Sequence, residues 1–139
     1  KPGMFLIQTR NPKHPVLTLL NQDYEAFYQY EIQNRETTGY PPFARLIRVE
    51  LQHKDRNWIE QEANKLQGIL LPRFGEWLLG PEFPMVARVR SNYRMQFLIK
   101  IPRKINPSSV KKVLIQEIEL FYRKLSDKSL KVIIDVDPR

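Results

Sequence analysis

The sequence predicts an α+β domain of the ferredoxin-like class, in which a βαββαβ order of elements builds an antiparallel sheet with two helices on one face. Two observations indicate this fold. From residue 43 onward, some stretches alternate apolar side chains with the two-residue period of strands, and two longer stretches repeat them at helical spacing. Prolines and helix-capping residues stand between these stretches, where the elements should begin and end.

A short strand and a helix are predicted ahead of this domain. The apolar run Met4–Thr9 is typical of a short buried strand, and "HPVLTLL" follows as an apolar turn. Asp23 is a suitable N-cap for a helix that ends at Gly39, and Glu31 can pair with Arg35 one turn later. The first turns of this helix carry four aromatic residues, Tyr24, Phe27, Tyr28 and Tyr30. We expect them to pack on protein rather than to stack on bases.

The first half of the domain begins with a strand at Phe43–His53, and Asp55 can cap the helix that follows. That helix should end near Pro72 and bury a stripe formed by Ile59, Ala63, Leu66 and Leu70. "EWLLG" and "MVARVR" look like two pieces of one strand, because the prolines of "PEFP" cannot sit in a regular central ladder. Ser91 and Asn92 then form a predicted hairpin turn.

The second half contains a strand, a helix and a final strand. Tyr93–Ile101 is the predicted strand, and Asn106 can cap a helix that has Pro107 at its first position. The apolar stripe of this helix consists of Val110, Val113, Leu114, Ile118, Phe121 and Leu125. The last strand lies in "LKVIIDVDP", and one of its faces carries Leu130, Val132, Ile134 and Val136.

The positive charge of the chain is concentrated in one region. The formal net charge is +8, and residues 88–104 hold six basic residues and no acidic ones. Such a region attracts polyanions, so nucleic acid is the leading partner; anionic lipid, acidic protein tails and a merely solvated strand are the alternatives. The candidate binding residues are Arg88, Arg90, Arg94, Lys100, Arg103 and Lys104. Secondary basic candidates are Arg48, Lys111, Lys112 and Lys131.

The alternation of the strand at 93–101 restricts how this region can bind. Its aromatic side chains share the face that must meet the helices, whereas Arg94 and Lys100 point to the open side of the sheet. Buried aromatics cannot serve as a platform for bases, so we expect contacts with phosphates and little sequence preference. Leu98 and Ile133 lie on the same open side and indicate that another domain covers part of it.

The sequence lacks the motifs of an enzyme or a metal site. There is no G-x-x-x-x-G-K-[ST] phosphate loop, the five glycines are dispersed and there are no cysteines. His14 and His53 are isolated and are interpreted as capping or surface residues. Asp135 and Asp137 share strand parity, but they are interpreted as a strand end before a turn. No apolar run is long enough to span a membrane.

Seven phrases in register resemble one known family. They are "GMFLIQT", "HPVLTLL", "DYEAFYQYEIQNR", "YPPF", "LLGPEFP", "YRMQFLIK" and "IIDVDP". In this order and at these distances they resemble the C-terminal part of the primosomal protein N′ (PriA) family of replication-restart helicases. The resemblance implies that residues 1–22 are the tail of the second RecA-like helicase lobe, 23–40 a linker helix and 41–139 the C-terminal ferredoxin-like domain. Sites for ATP, magnesium and zinc would lie upstream, so this fragment alone is expected not to be an enzyme.

The resemblance also implies partners. Members would act on forked or single-stranded DNA in the bacterial cytoplasm and at the nucleoid. Their partners would be single-stranded DNA-binding protein, other primosome components and their own helicase domains. No membrane partner is expected. The resemblance further implies a binding role for the basic hairpin and the loop after it, at Arg94, Lys100, Arg103 and Lys104. Two functions stay open: binding of DNA phosphates, and docking of the acidic tail of single-stranded DNA-binding protein.

Overall fold

The computed structural model describes residues 3–20 and 22–138, which form two units. The first unit ends at Thr38 and contains α1 (Pro15–Leu19) and α2 (Tyr24–Thr38). The second unit begins at Gly39. Its elements are β1 (Ala44–His53), α3 (Arg56–Phe74), one 3₁₀ turn (Gly75–Trp77), β2 (Leu78–Glu82), β3 (Arg88–Val89), β4 (Asn92–Pro102), α4 (Pro107–Lys124) and β5 (Lys131–Val136). None of the helices in the described part of the chain has the length and apolarity that crossing a membrane requires.

The helix of the first unit begins and ends as predicted. Asp23 Oδ1 accepts a hydrogen bond from the Ala26 amide at 2.9 Å, which satisfies one of the amides that every helix start leaves unpaired. Arg35 Nε donates to Glu31 at 2.7 Å, so the predicted pair is confirmed. Gly39 follows the helix with a φ of 65°, a left-handed conformation that glycine adopts without strain.

The predicted strand at Met4–Thr9 is wrong. These residues form no regular element, and the first three side chains of the run are 81% to 86% exposed. An isolated strand is not stable without a neighbour to accept its hydrogen bonds, and the described residues of the first unit include no other strand. The expected packing of the aromatic helix also fails for Tyr24 and Tyr28, which are exposed and stack on each other with ring centroids 6.3 Å apart.

The sheet of the second unit has the predicted ferredoxin-like order. Its strands are arranged β2-β4-β1-β5, all neighbours run antiparallel, and β3 pairs with the start of β4. β2 and β3 therefore lie along the same edge of β4, as expected for two pieces of one strand. Gly80 allows this close pairing, because a Cβ at that position would lie 2.6 Å from the Gln96 carbonyl oxygen.

The core lies between the sheet and the two long helices. The strand residues in it are Ile47, Val49, Leu51, Leu78, Met95, Phe97, Ile99 and Ile101, and the helix residues include Ile59, Ala63, Leu66, Leu70, Val110, Leu114, Ile118 and Phe121. All of the stripe residues predicted for α3 are buried, and so are those of α4 except Val113, which is half-buried. Because both helices cover the same face, the other face of the sheet stays open.

Two predicted boundaries are shifted. Helix α3 continues through Pro72 to Phe74, since buried Phe74, one turn after buried Leu70, holds the last turn on the core. The hairpin turn between β3 and β4 consists of Arg90 and Ser91, with φ angles of 46° and 70°, rather than of Ser91 and Asn92. Positive φ at both central residues is what the tightest hairpin turn requires.

A buried histidine ties the end of β1 to the loop before β5. The His53 side chain is 8% exposed, and its Nδ1 accepts a hydrogen bond from the Asp55 amide at 3.1 Å. The proton is therefore on Nε2, which donates to Asp127 Oδ2 at 3.1 Å. Hydrogen bonds from Ser129, then from His53, lower the pKa of Asp127 to about 2.

This pKa predicts an acid-labile connection. In the unfolded chain Asp127 should titrate near its ordinary value of about 4, so its stabilising effect is fully present above that pH. The effect should be lost as the pH falls from about 4 to about 2. Urea unfolding followed by circular dichroism across this range should show a steeper loss of stability in the native protein than in Asp127→Asn. Asp137→Asn is the control, and equal pH slopes for all three proteins would contradict the prediction.

Candidate nucleic-acid interface

Two of the predicted cations on the open face are neutralised by carboxylates. Arg94 lies on β4 and makes a two-pronged ion pair with Glu50 of β1, with its Nε 2.9 Å from Glu50 Oε1. Arg48 Nη2 lies 2.7 Å from Asp135 Oδ2 on β5, directly across the strand pair. The open face therefore carries cation–carboxylate pairs rather than a row of uncompensated charges.

The Glu50 site is electrostatically tuned by its neighbours. Glu50 is 5% exposed, and this burial by itself would raise its pKa. Hydrogen bonds from Arg94 and Gln52 and the charges of Arg94 and Arg48 outweigh the burial, so that the pKa of Glu50 is lowered. The hydrogen bond to Glu50 in turn raises the pKa of Arg94. Both groups stay charged, and Arg94 is held in its ion pair with Glu50.

Lys100 lies near the other end of the open face and also has a neighbour. Its Nζ is 3.9 Å from the centroid of the Tyr40 ring, a cation–π contact, and the residue is half-buried. Lys131, on the edge strand β5, is exposed. The predicted orientation of Arg94 and Lys100 toward the open side is confirmed, because the alternate residues Met95, Phe97 and Ile99 are buried on the other face.

The remaining candidates form two clusters at opposite ends of β4. We name Arg88 and Arg90 the hairpin pair, because they lie in β3 and its turn; both are exposed, and Arg88 also lies over the Tyr93 ring at 5.2 Å. We name Arg103 and Lys104 the loop pair; they are exposed in the loop between β4 and α4. At roughly 3.3 Å per residue, β4 separates the two pairs by about 33 Å. The six candidates therefore do not make one patch.

The loop pair adjoins the start of α4. Asn106 caps this helix by accepting the Ser108 amide at 2.9 Å, as predicted. Lys111 and Lys112 occupy the first turns, and Lys112 is exposed. The positive end of the helix dipole reinforces these charges, so this end of the domain favours an anion.

The sequence interpretation missed the acidic partners of the open face. Glu50 and Asp135 can be recognised as ion-pair partners only from the strand register. In this register Arg48 lies directly opposite Asp135, and Glu50 lies diagonally opposite Arg94. The period of each strand places a side chain on a face, but the pairing of two strands decides which charges meet. Among residues 3–20 and 22–138, no group of three or more histidine or acidic residues could hold a metal ion.

Comparison with known proteins identifies relatives of this chain. Residues 36–139 match the family model of the primosomal protein N C-terminal domain. The replication restart protein PriA of Treponema pallidum is 40% identical over 103 residues, which cover 72% of this chain and 16% of the relative. The PriA proteins of Bacillus subtilis and Chlamydia pneumoniae are 31% and 38% identical, each over 99% of this chain. The chain spans less than a fifth of the length of these relatives.

The Arg94–Glu50 pair predicts that Arg94 is structural. Arg94→Ala would leave the Glu50 carboxylate buried without its cation, which should cost about 3 kcal/mol of unfolding free energy. Arg103→Ala removes an exposed arginine and should change the stability by less than about 0.5 kcal/mol. Urea denaturation measures both, and equal stabilities of the two variants would refute the assignment.

Proposed function

This chain belongs to the primosomal protein N C-terminal domain family, and we propose that it binds the phosphates of forked or single-stranded DNA for a larger, ATP-dependent replication-restart helicase. Its relatives are replication restart proteins PriA, which supports this setting. Unwinding, and the ATP, magnesium and zinc sites it needs, would belong to the rest of such a protein. This domain would contribute affinity for the branched substrate.

The observation that carries the proposal is the exposure of the hairpin pair and the loop pair. Within the described part of the chain, neither pair forms an ion pair with an acidic side chain, whereas Arg94 and Arg48 both do. An exposed cation without an acidic partner can neutralise a DNA phosphate and release the counterion condensed on it, which favours binding. Phosphate binding is therefore assigned to the two ends of β4 and not to its middle.

The spacing of the two pairs fits a nucleic-acid backbone. A separation of about 33 Å corresponds to roughly ten nucleotides of one strand at 3.4 Å each. One DNA segment laid along β4 would thus reach both pairs. Base readout is not expected, because Phe97 is fully buried and the ring of Tyr93 lies under Arg88.

A second function is favoured by the surroundings of the loop pair. This pair, Lys111, Lys112 and the start of α4 present several cations and a helix dipole within one small region. These groups are of the kind that binds a tail of carboxylates, such as the acidic end of single-stranded DNA-binding protein, through charge-assisted hydrogen bonds. Docking of a tail would use the loop end alone, whereas DNA would use both ends.

DNA binding predicts a salt dependence that follows the two pairs. Replacing the hairpin pair by Gln, or the loop pair by Gln, should each lower the slope of log affinity against log salt by about 2, since each pair contacts two phosphates. Fluorescence anisotropy with a labelled fork measures the slope. The control replaces Arg123 and Lys124, which are exposed in the last turn of α4. Unchanged slopes for both variants would exclude this interface.

Calorimetry with the acidic tail peptide separates the second function from the first. If the tail docks at the loop end, the loop-pair variant should lose the binding heat and the hairpin-pair variant should keep it. If neither variant changes the heat, or the native protein gives none, docking at this site is ruled out. The DNA result is independent of this outcome.

A further inference from the structure

Strand β5 forms an open edge of the sheet. It pairs with β1 on one side only and ends the strand order β2-β4-β1-β5. The Asp137 amide donates to the Leu46 carbonyl at 2.8 Å, so this position is a hydrogen-bonded pair of the antiparallel ladder. Such pairs alternate along the strand, and therefore the amides and carbonyls of Val132, Ile134 and Val136 point outward, away from β1.

The side chains along this edge are unusually apolar for a surface that is exposed to solvent. Ile133, Ile134 and Val136 are 45%, 37% and 38% exposed. Natural edge strands are commonly protected by proline, by bulges or by several charges, but β5 is regular and has one lysine and one aspartate. An edge of this kind is a template for a further strand.

A groove runs beside the edge on the helix side. It has a volume of about 640 Å³ and lies between β5 and α4. Its apolar lining consists of Ile118, Tyr122, Leu130, Val132 and Ile133, and the charged residues Glu119, Arg123 and Lys131 complete it. Ile115, one turn before Ile118, is also exposed. Apolar side chains of an added strand would therefore have a place to be buried.

We propose that the β5 edge binds the β5 edge of a second copy of this chain, in an antiparallel pair related by a two-fold axis. In the pairing centred on Ile133, Val132 of each copy exchanges backbone hydrogen bonds with Ile134 of the other, and both residues have their amides pointing outward. Ile133 then faces its own equivalent across the axis. A two-fold interface needs this self-complementarity.

Charge complementarity selects this register. With Ile133 at the centre, Lys131 of one copy lies opposite Asp135 of the other, and the arrangement occurs twice. All four side chains lie on the open face of the sheet, where Asp135 already meets Arg48 at 2.7 Å. Lys131 forms no ion pair within the described part of the chain, so the second copy would supply the carboxylate that it lacks.

The assembly would be one continuous antiparallel sheet running through both copies. A two-fold axis perpendicular to the sheet keeps the helices of both copies on the same face. The exposed side chains of Ile134, Val136 and Tyr122 from each copy would then meet over the joined edges and fill the two grooves. Burial of these side chains stabilises the pair beyond its hydrogen bonds.

Sedimentation velocity of the DNA-free protein, from roughly 10 µM to roughly 1 mM, tests the proposal. The native chain should pass from monomer to dimer across this range and form nothing larger, because a two-fold interface closes. Ile133→Lys puts two lysines opposite each other and should abolish the dimer, and Lys131→Glu should weaken it at least tenfold, whereas Lys131→Arg should preserve it.

The matched control is Leu120→Lys. Leu120 is exposed on α4 and does not line the groove, so this variant makes the same chemical change elsewhere and should dimerise like the native chain. Circular dichroism must show that every variant is folded. A native chain that stays monomeric at the highest concentration, or dimers that survive Ile133→Lys, would overturn the proposal.

Discussion

The pairing of β1 with β4 on one side and β5 on the other is the constraint on which the rest of the domain depends. β1 is the strand that joins the two halves of the chain, and its residues Ile47, Val49 and Leu51 are completely buried under the helices. Both helices can cover one face only because their strands are held together by β1. Loss of its register would turn its apolar set to the wrong face and expose the whole core.

The same register determines the electrostatics of the open face. It sets Arg48 opposite Asp135 and brings Glu50 within reach of Arg94, so the middle of the sheet becomes a set of neutral pairs. Uncompensated cations are left at the hairpin pair and the loop pair. A polyanion is therefore expected to meet the two ends of β4, and the edge strand β5 remains available for an apolar contact.

Much of the fold could be predicted from local patterns. The alternation of β1 and β4, the stripes of α3 and α4, and the caps Asp55 and Asn106 all agree with the structure. The strand prediction at Met4–Thr9 was wrong because an apolar run indicates only that burial is favourable. It does not indicate that a neighbouring strand is present to bury it. The candidate site was predictable in part. The alternation of β4 correctly placed Arg94 on the open face, but it could not predict that Glu50 of another strand would pair with it.

The sequence by itself determined which side chains share a face, where the long helices begin, and that the positive charge is concentrated in residues 88–104. These properties depend on chain period and local capping, which act within a few residues. Only the tertiary structure decided which of those charges are paired and how far apart the others lie. The physical reason is that these ion pairs form between strands that are distant in sequence. The length of β4 also holds the charges at its two ends about 33 Å apart.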